Sequence, residues 1–362
     1  MRATDAVEAS RRAIEICNAC RFCDGYCRVF QVMELRRVFS NADLGYMANL
    51  CHNCRNCYYA CQYAPPHEFA INLPRLLAQL RMETYQEYAW PRPLAVVFRR
   101  NGVIVSVVAL LVVAISLILT IALESPGQRF VPHFGTGAFY TIIPWKIMVS
   151  VAGGAVGLAL ALIVASVVGF WRDTDGAVPT VYNFHVLRLA FSDVLTLRHL
   201  GGGGHGCNDY GESFTRARRR FHHAMFYGLV LCFAATAIAT IYDHFLGWRA
   251  PYPLLSVPVV LGSAGGLSMV IGTGGLIWSK IVGDPKPTAQ NTLGAEYAML
   301  GLLLAMAASG LLLLVLRETA AVSVLLAIHF GVVLSFFLLF PYSKLVHGFY
   351  RAAALLRAAM EG

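Results

Sequence analysis

From residue 101 onward the chain alternates long apolar stretches with short polar ones. Six stretches, at about 101–123, 147–170, 224–247, 256–279, 293–316 and 320–345, reach the roughly 20 apolar residues that a bilayer-crossing helix needs. Each is expected to be helical, because hydrocarbon offers no partner to an open backbone. Before residue 93 the pattern changes. Apolar positions are interleaved with charged ones, as at Phe30, Val32, Met33, Leu35 and Val38, a spacing that suits a helix lying over a site. The pattern therefore predicts a mainly α chain with a helical head, 1–92, and a six-helix transmembrane bundle, 93–362. A polar segment, 171–220, separates the second and third spans, and within it Val181 to Leu200 reads as an amphipathic helix.

Composition agrees with a lipid environment: 57% of residues are hydrophobic and 14% charged, against about one quarter charged in soluble proteins. The net charge of +9 could suggest nucleic acid, but its placement argues otherwise. Arg92, Arg99 and Arg100 precede the first span, a dense basic run extends from Arg172 to Arg220, and Lys280, Lys286, Lys344, Arg351 and Arg357 follow the fourth and sixth spans. The opposite side carries only Arg129, Arg249 and Arg317. The positive-inside rule then puts both termini and the head in the cytoplasm of a multi-pass inner-membrane protein, with no nucleic-acid partner. Met1 to Arg12 lack the apolar stretch of a secretory signal. Glycines in the second and fourth spans, among them Gly153, Gly157, Gly265 and Gly272, predict close helix packing.

Eight of the ten cysteines fall in two runs of identical spacing, Cys17, Cys20, Cys23, Cys27 and Cys51, Cys54, Cys57, Cys61. Such clustering points to metal in a reducing compartment rather than to disulfides. Three thiolates on a tight loop can hold three irons of a [4Fe-4S] cubane, and the fourth cysteine of each run reaches the other cluster, as in bacterial two-cluster ferredoxins. Cys17, Cys20, Cys23 and Cys61 are thus expected on one cluster, and Cys51, Cys54, Cys57 and Cys27 on the other. Structural zinc, which favours separated pairs, is the weaker reading. The proline that usually follows the fourth ferredoxin cysteine is absent: Arg28 follows Cys27 and Gln62 follows Cys61. His52 and His67 are expected in surface or hydrogen-bonding roles.

Ionisable residues inside a span mark function, because hydrocarbon penalises them. His329 and His347 lie eighteen residues apart, which on one continuous helix is five turns and roughly 27 Å. The third span offers His222 and His223 at its start and His244 at its far end. Because the two spans run antiparallel, His222 or His223 comes level with His347, and His244 with His329. Two bis-histidine b-type haems are predicted, with one haem as the alternative, and helical phase favours His222 over His223. No Cys-x-x-Cys-His occurs, so covalent haem is not indicated. Gly201 to Cys207 lacks the ending of a phosphate loop and is expected to touch the head or a partner. His185, His199, His205 and Cys207 fit no ligand spacing.

The double cysteine run, Asp193-Val194-Leu195-Thr196-Leu197-Arg198 with the glycine stretch ending at Cys207, the Arg-Arg-Phe-His-His entry ending at His223, and Pro341 to Gly348 together resemble the tricarballylate and citrate utilisation protein B family. The resemblance implies a two-cluster ferredoxin-like head on a membrane domain of cytochrome b type. It implies an electron-transfer subunit that reoxidises an FAD-dependent dehydrogenase acting on tricarballylate and passes electrons to quinone, with no substrate chemistry of its own. The chain is also similar to the C-terminal half of a precorrin-3B synthase fusion, and its last span to the nitrate reductase gamma subunit. A quinone pocket near Tyr342, Lys344 and His347 is one expectation. Two rival classes are a tricarboxylate transporter, for which Gly272-Thr273-Gly274-Gly275 would have to break the fourth span, and a redox sensor.

Overall fold

Local end signals shape the head. In the computed structural model, which describes residues 4–174 and 183–362, α1 (Asp5–Cys20) begins at Thr4, whose side chain accepts a hydrogen bond from the Val7 amide. After α2 (Arg28–Glu34), a capping box of Ser40 and Asp43 opens α3 (Asn41–Leu50). The single turn α4 (Asn56–Tyr59) precedes α5 (Leu73–Tyr88), which is capped by Asn72 with Pro74 in its first turn. Their apolar faces meet in one core around Ile14, Phe30, Met33, Leu44, Leu77 and Leu80.

The long apolar stretches are helices throughout. They are α6 (Asn101–Leu123), then, after the short α7 (Ala138–Ile142), α8 (Trp145–Asp173), and, after α9 (Phe184–Leu195), α10 (Ala217–Leu246), α11 (Val257–Ile281), α12 (Leu293–Leu316) and α13 (Val322–Leu339). All six long ones are apolar enough to cross a membrane. The amphipathic helix expected over 181–200 is shorter: its first two residues lie outside the described ones, and α9 stops at Leu195 before a left-handed Leu197. Among the described residues there is no β-strand, only an isolated bridge between Cys207 and Thr215.

Two packing arrangements dominate the membrane half. α12 lies against α6, α11 and α13, while α10 packs along α11. Glycine makes the second seam possible: a Cβ on Gly272 would sit 2.3 Å from the Met225 amide nitrogen, and one on Gly228 would sit 2.7 Å from the Gly265 carbonyl. Ser268 donates to the Ala224 carbonyl across the same seam. Gly272 to Gly275 therefore pack a continuous helix, and the break that a transporter reading needs in α11 does not occur.

The last span departs from expectation. α13 stops at Leu339, 3-10 turns follow at Phe340–Tyr342 and Lys344–Val346, and α14 (His347–Glu361) starts afresh. Pro341 cannot continue the helix ladder and Ser343 is extended, with φ −119° and ψ 172°. His329 and His347 thus stand on separate helices, and the five-turn argument for a shared face fails. α14 turns back into the head, where Tyr350, Ala354 and Leu355 join its core and Glu361 pairs with Arg36 at 2.7 Å. The head's core is consequently built from both ends of the chain, with Phe170 of α8 added.

Replacing Gly272 by Ala forces backbone apart at the α10–α11 seam and is expected to cost about 1–3 kcal/mol. Gly153→Ala, where the added atom meets nothing within 4 Å, should change stability by less than about 0.5 kcal/mol. Thermal unfolding in detergent compares the two.

Candidate metal centres

The cysteine loops turn sharply because a few residues adopt left-handed backbone. Arg21 (φ 57°) sits in the first run, and Asn53 (φ 54°) and Arg55 (φ 69°) in the second. For arginine this conformation is uncommon and must be held by its surroundings. Arg55 is held: its guanidinium donates to the carbonyls of Asp209 and Asp284 and to the Thr288 hydroxyl.

Two adjoining cavities result, both open to solvent. Cys17, Cys20, Cys23 and Cys61 border the first, Cys27, Cys51 and Cys54 the second, and Cys57 borders both. The fourth cysteine of each run therefore stands with the first three of the other. Burial, reinforced by neighbouring thiols, pushes Cys17 and Cys23 up to about 12. Burial does the same to Cys54, with Cys207 adding to it. Such thiols resist ionisation, and a metal held among them would supply the cation that makes them thiolates. Among the described residues no three donors converge on a single-ion site. Thiols spread around each cavity, rather than converging on one point, suit a multi-iron cubane better than one zinc.

The glycine stretch that the sequence left between head and partner touches the head. Asn56 donates to the carbonyls of Gly202 (2.9 Å) and Gly206 (3.1 Å), and the Asn208 amide donates to Cys54 O at 2.9 Å. Gly202 has φ +53° and leaves no room for a side chain, since a Cβ there would lie 2.7 Å from Asn56 Nδ2. Cys207 is buried, with its thiol donating to Leu200 O. His199 pairs with Asp193 at 2.9 Å and lies 5.6 Å from the His52 ring, while His205 is exposed beside Phe214. His52 donates to Leu50 O, and His67 accepts from the Phe69 amide. His185 is exposed.

Of the membrane histidines, the structure brings one pair together. The rings of His222 and His347 have centroids 6.3 Å apart and planes at 84°. Two imidazoles bonded at about 2 Å to opposite sides of one metal atom would show a comparable separation. His347 Nδ1 donates to Lys344 O at 2.6 Å, which leaves its Nε2 for a ligand. Burial and the charge of Arg351 hold His347 well below the usual histidine range, hence neutral. His222 Nδ1 is buried without a partner. The neighbouring His223 instead donates to Thr196 O at 3.0 Å and stands against Tyr227. These features fit an axial histidine pair.

The second expected pair is not brought together. His244 is exposed and lies against Trp145, with ring centroids 5.1 Å apart. His329 bonds Ser309 at 3.0 Å and leaves no room for a side chain at Gly310. The cause is packing: α10 follows α11 along its glycine seam, whereas α13 lies on α6 and α12. Tyr342 and Lys344, the expected quinone contacts, already have partners. Tyr342 donates to Trp90 O at 2.8 Å, and Lys344 and Lys280 both pair with Glu296.

Sequence reading did not single out Arg81 or place Arg351 at this site. Arg351 Nη2 donates to Cys51 O at 2.9 Å and its Nε to Asn49 O at 3.2 Å, and Arg81 Nε donates to Ala48 O at 2.9 Å. Burial and the adjacent Arg81 pull Arg351 down to about 10. One signal was present in the sequence: Arg351 is four residues after His347 and so shares its helix face.

Family comparison places this architecture. Citrate utilization protein B matches residues 98–362, and the Fer4-like domain of citrate utilization protein B matches residues 10–87. The Citrate utilization protein B of Escherichia coli is 45% identical over 356 residues, which cover 97% of this chain and 91% of that protein. No solved structure gives a significant match.

The crossed cysteine grouping has a direct consequence. Cys17→Ser and Cys61→Ser should alter the same electron paramagnetic resonance signal of the reduced protein, and Cys27→Ser and Cys51→Ser the other, each variant keeping about four irons. A Cys61→Ser spectrum that matches Cys51→Ser would mean that each run holds its own cluster.

Proposed function

The chain belongs to the citrate utilization protein B family, and on that premise we propose that it is the membrane electron-transfer subunit of a tricarboxylate-oxidising system. It carries two [4Fe-4S] clusters and one b-type haem, accepts electrons from a flavoprotein dehydrogenase of the tricarballylate dehydrogenase kind, and delivers them to quinone. When bound, these groups supply one-electron carriers, a task for which the side chains alone have no chemistry.

The observation that carries the reading is the alignment of three donor sets: the first cysteine set, the second, and the His222–His347 pair. The first set opens beside Phe22, which is 63% exposed, and an aromatic beside an accessible centre suits docking of a redox partner. The second set adjoins the membrane half. Asn208 and Arg351 bond its backbone from one side, and Arg55 braces it against the α11–α12 connection. Arg351 then leads along α14 to His347. The order implied is partner, first set, second set, histidine pair, membrane. His222 Nδ1 has no partner and the bond at His347 Nδ1 leaves Nε2 open, so the two would hold a haem iron between them, and two histidine ligands suit electron transfer rather than oxygen binding. In this arrangement the head faces the cytoplasm of the bacterial inner membrane, in keeping with the basic flanks of the spans.

Anaerobic purification in detergent, with a reduced-minus-oxidised spectrum and iron, acid-labile sulfide and haem counted per chain, tests this reading. A b-type spectrum, about eight cluster irons and one haem are expected. His222→Ala and His347→Ala should abolish the haem bands with the clusters retained, while His223→Ala and His244→Ala keep them. Clusters without haem in the unaltered protein would refute the histidine assignment, and two haems would reinstate His244 and His329.

A further inference from the structure

Positive charge collects without a carboxylate partner where the head meets the membrane half. Arg81 is 6% exposed, and its Nη2 is buried with no hydrogen-bond partner. Arg351, partly buried beside it, bonds only the carbonyls of Asn49 and Cys51. Among the described residues neither guanidinium has a carboxylate partner. The acids close by pair with other cations: Asp209 through Oδ1 with Arg218 at 3.3 Å, its Oδ2 having no hydrogen-bond partner, and Glu296 with Lys280 and Lys344. Carbonyl contacts satisfy donors but do not neutralise charge, and two uncompensated guanidiniums in such a place are costly. An anion with two separate negative groups would resolve the imbalance.

We infer that Arg81 and Arg351 form a carboxylate-binding site for the two propionate side chains of a haem held between His222 and His347. The inference rests on the haem reading given above and adds to it what fixes the porphyrin's orientation. A guanidinium fork matches a carboxylate in geometry and charge. Arg351 lies one turn beyond His347 on α14, so ligand and clamp share a face. The same side chain bonds the backbone of Cys51, and the site therefore ties the porphyrin edge to the loop of the second cysteine set. The second cluster is the other source of negative charge nearby. Arg351 meets that loop through carbonyl oxygens, and the buried Arg81 Nη2 meets no thiol, so both cations retain capacity for a further anion.

The test uses the full chain, produced with its clusters but without haem and titrated in detergent with iron protoporphyrin or with its dimethyl ester. The unaltered protein should bind the free acid roughly ten- to a hundredfold more tightly than the ester, the range expected for buried charge-assisted hydrogen bonds. In the Arg81→Met/Arg351→Met double variant the two affinities should converge, and Arg351→Lys alone should preserve part of the difference. The haem midpoint potential should fall in the double variant, because removing nearby positive charge disfavours the electron. Cluster resonance signals of unchanged intensity establish that the variants are folded. An undiminished preference for the free acid in the double variant would overturn the carboxylate site alone. Failure of the unaltered protein to bind either porphyrin would overturn the haem reading and the site with it.

Discussion

The Arg351 guanidinium joins the two halves of the protein. It bonds the carbonyls of Asn49 and Cys51 in the head and stands on the helix that begins with His347. Because α14 is also locked into the head core through Tyr350 and Leu355, and through Glu361 to Arg36, the position of His347 relative to the second cysteine set is determined by packing rather than by a flexible linker. A carrier protein needs this rigidity. Its task is to hold centres at constant separation, and a hinge between head and bundle would defeat it.

Burial sets the chemical requirement. Thiols crowded away from water resist ionisation, as at Cys17, Cys23 and Cys54, and cations held among them would make them thiolates. Arg81 and Arg351 bond backbone carbonyls and face no carboxylate among the described residues. The left-handed Arg21, Asn53 and Arg55 belong to the same logic, since uncommon backbone persists where surrounding bonds compel it.

In the membrane half the histidine geometry follows from helix contacts. The glycine seam draws α10 onto α11, so its first turns bring His222 to His347 on α14 while His244 near its other end lies against Trp145 rather than His329. That divergence is why one histidine pair assembles and the other does not. Lys280, Glu296 and Lys344 tie α11, α12 and the turn after α13 on the head side of the bundle. Among polar groups in low dielectric such ties serve position more than stability.

By itself the sequence determined what depends on local pattern. Six apolar stretches yield six long helices because lipid admits no other spanning backbone. The repeated cysteine spacing specified which residue types gather and in what number. The expectation of His222 over His223 came from its phase relative to His244, and the structure sets His222 beside His347 while His244 lies against Trp145. The tertiary structure decided what depends on distant contacts. It broke the last span at Pro341 and Ser343 and sent α14 into the head. It folded Gly201 to Cys207 onto Asn56 and Cys54, and it set Arg81 and Arg351 beside the loop of the second cysteine set. None of these could be read from periodicity, which reports the face a residue occupies on its own helix and carries no information about which other helix that face will meet.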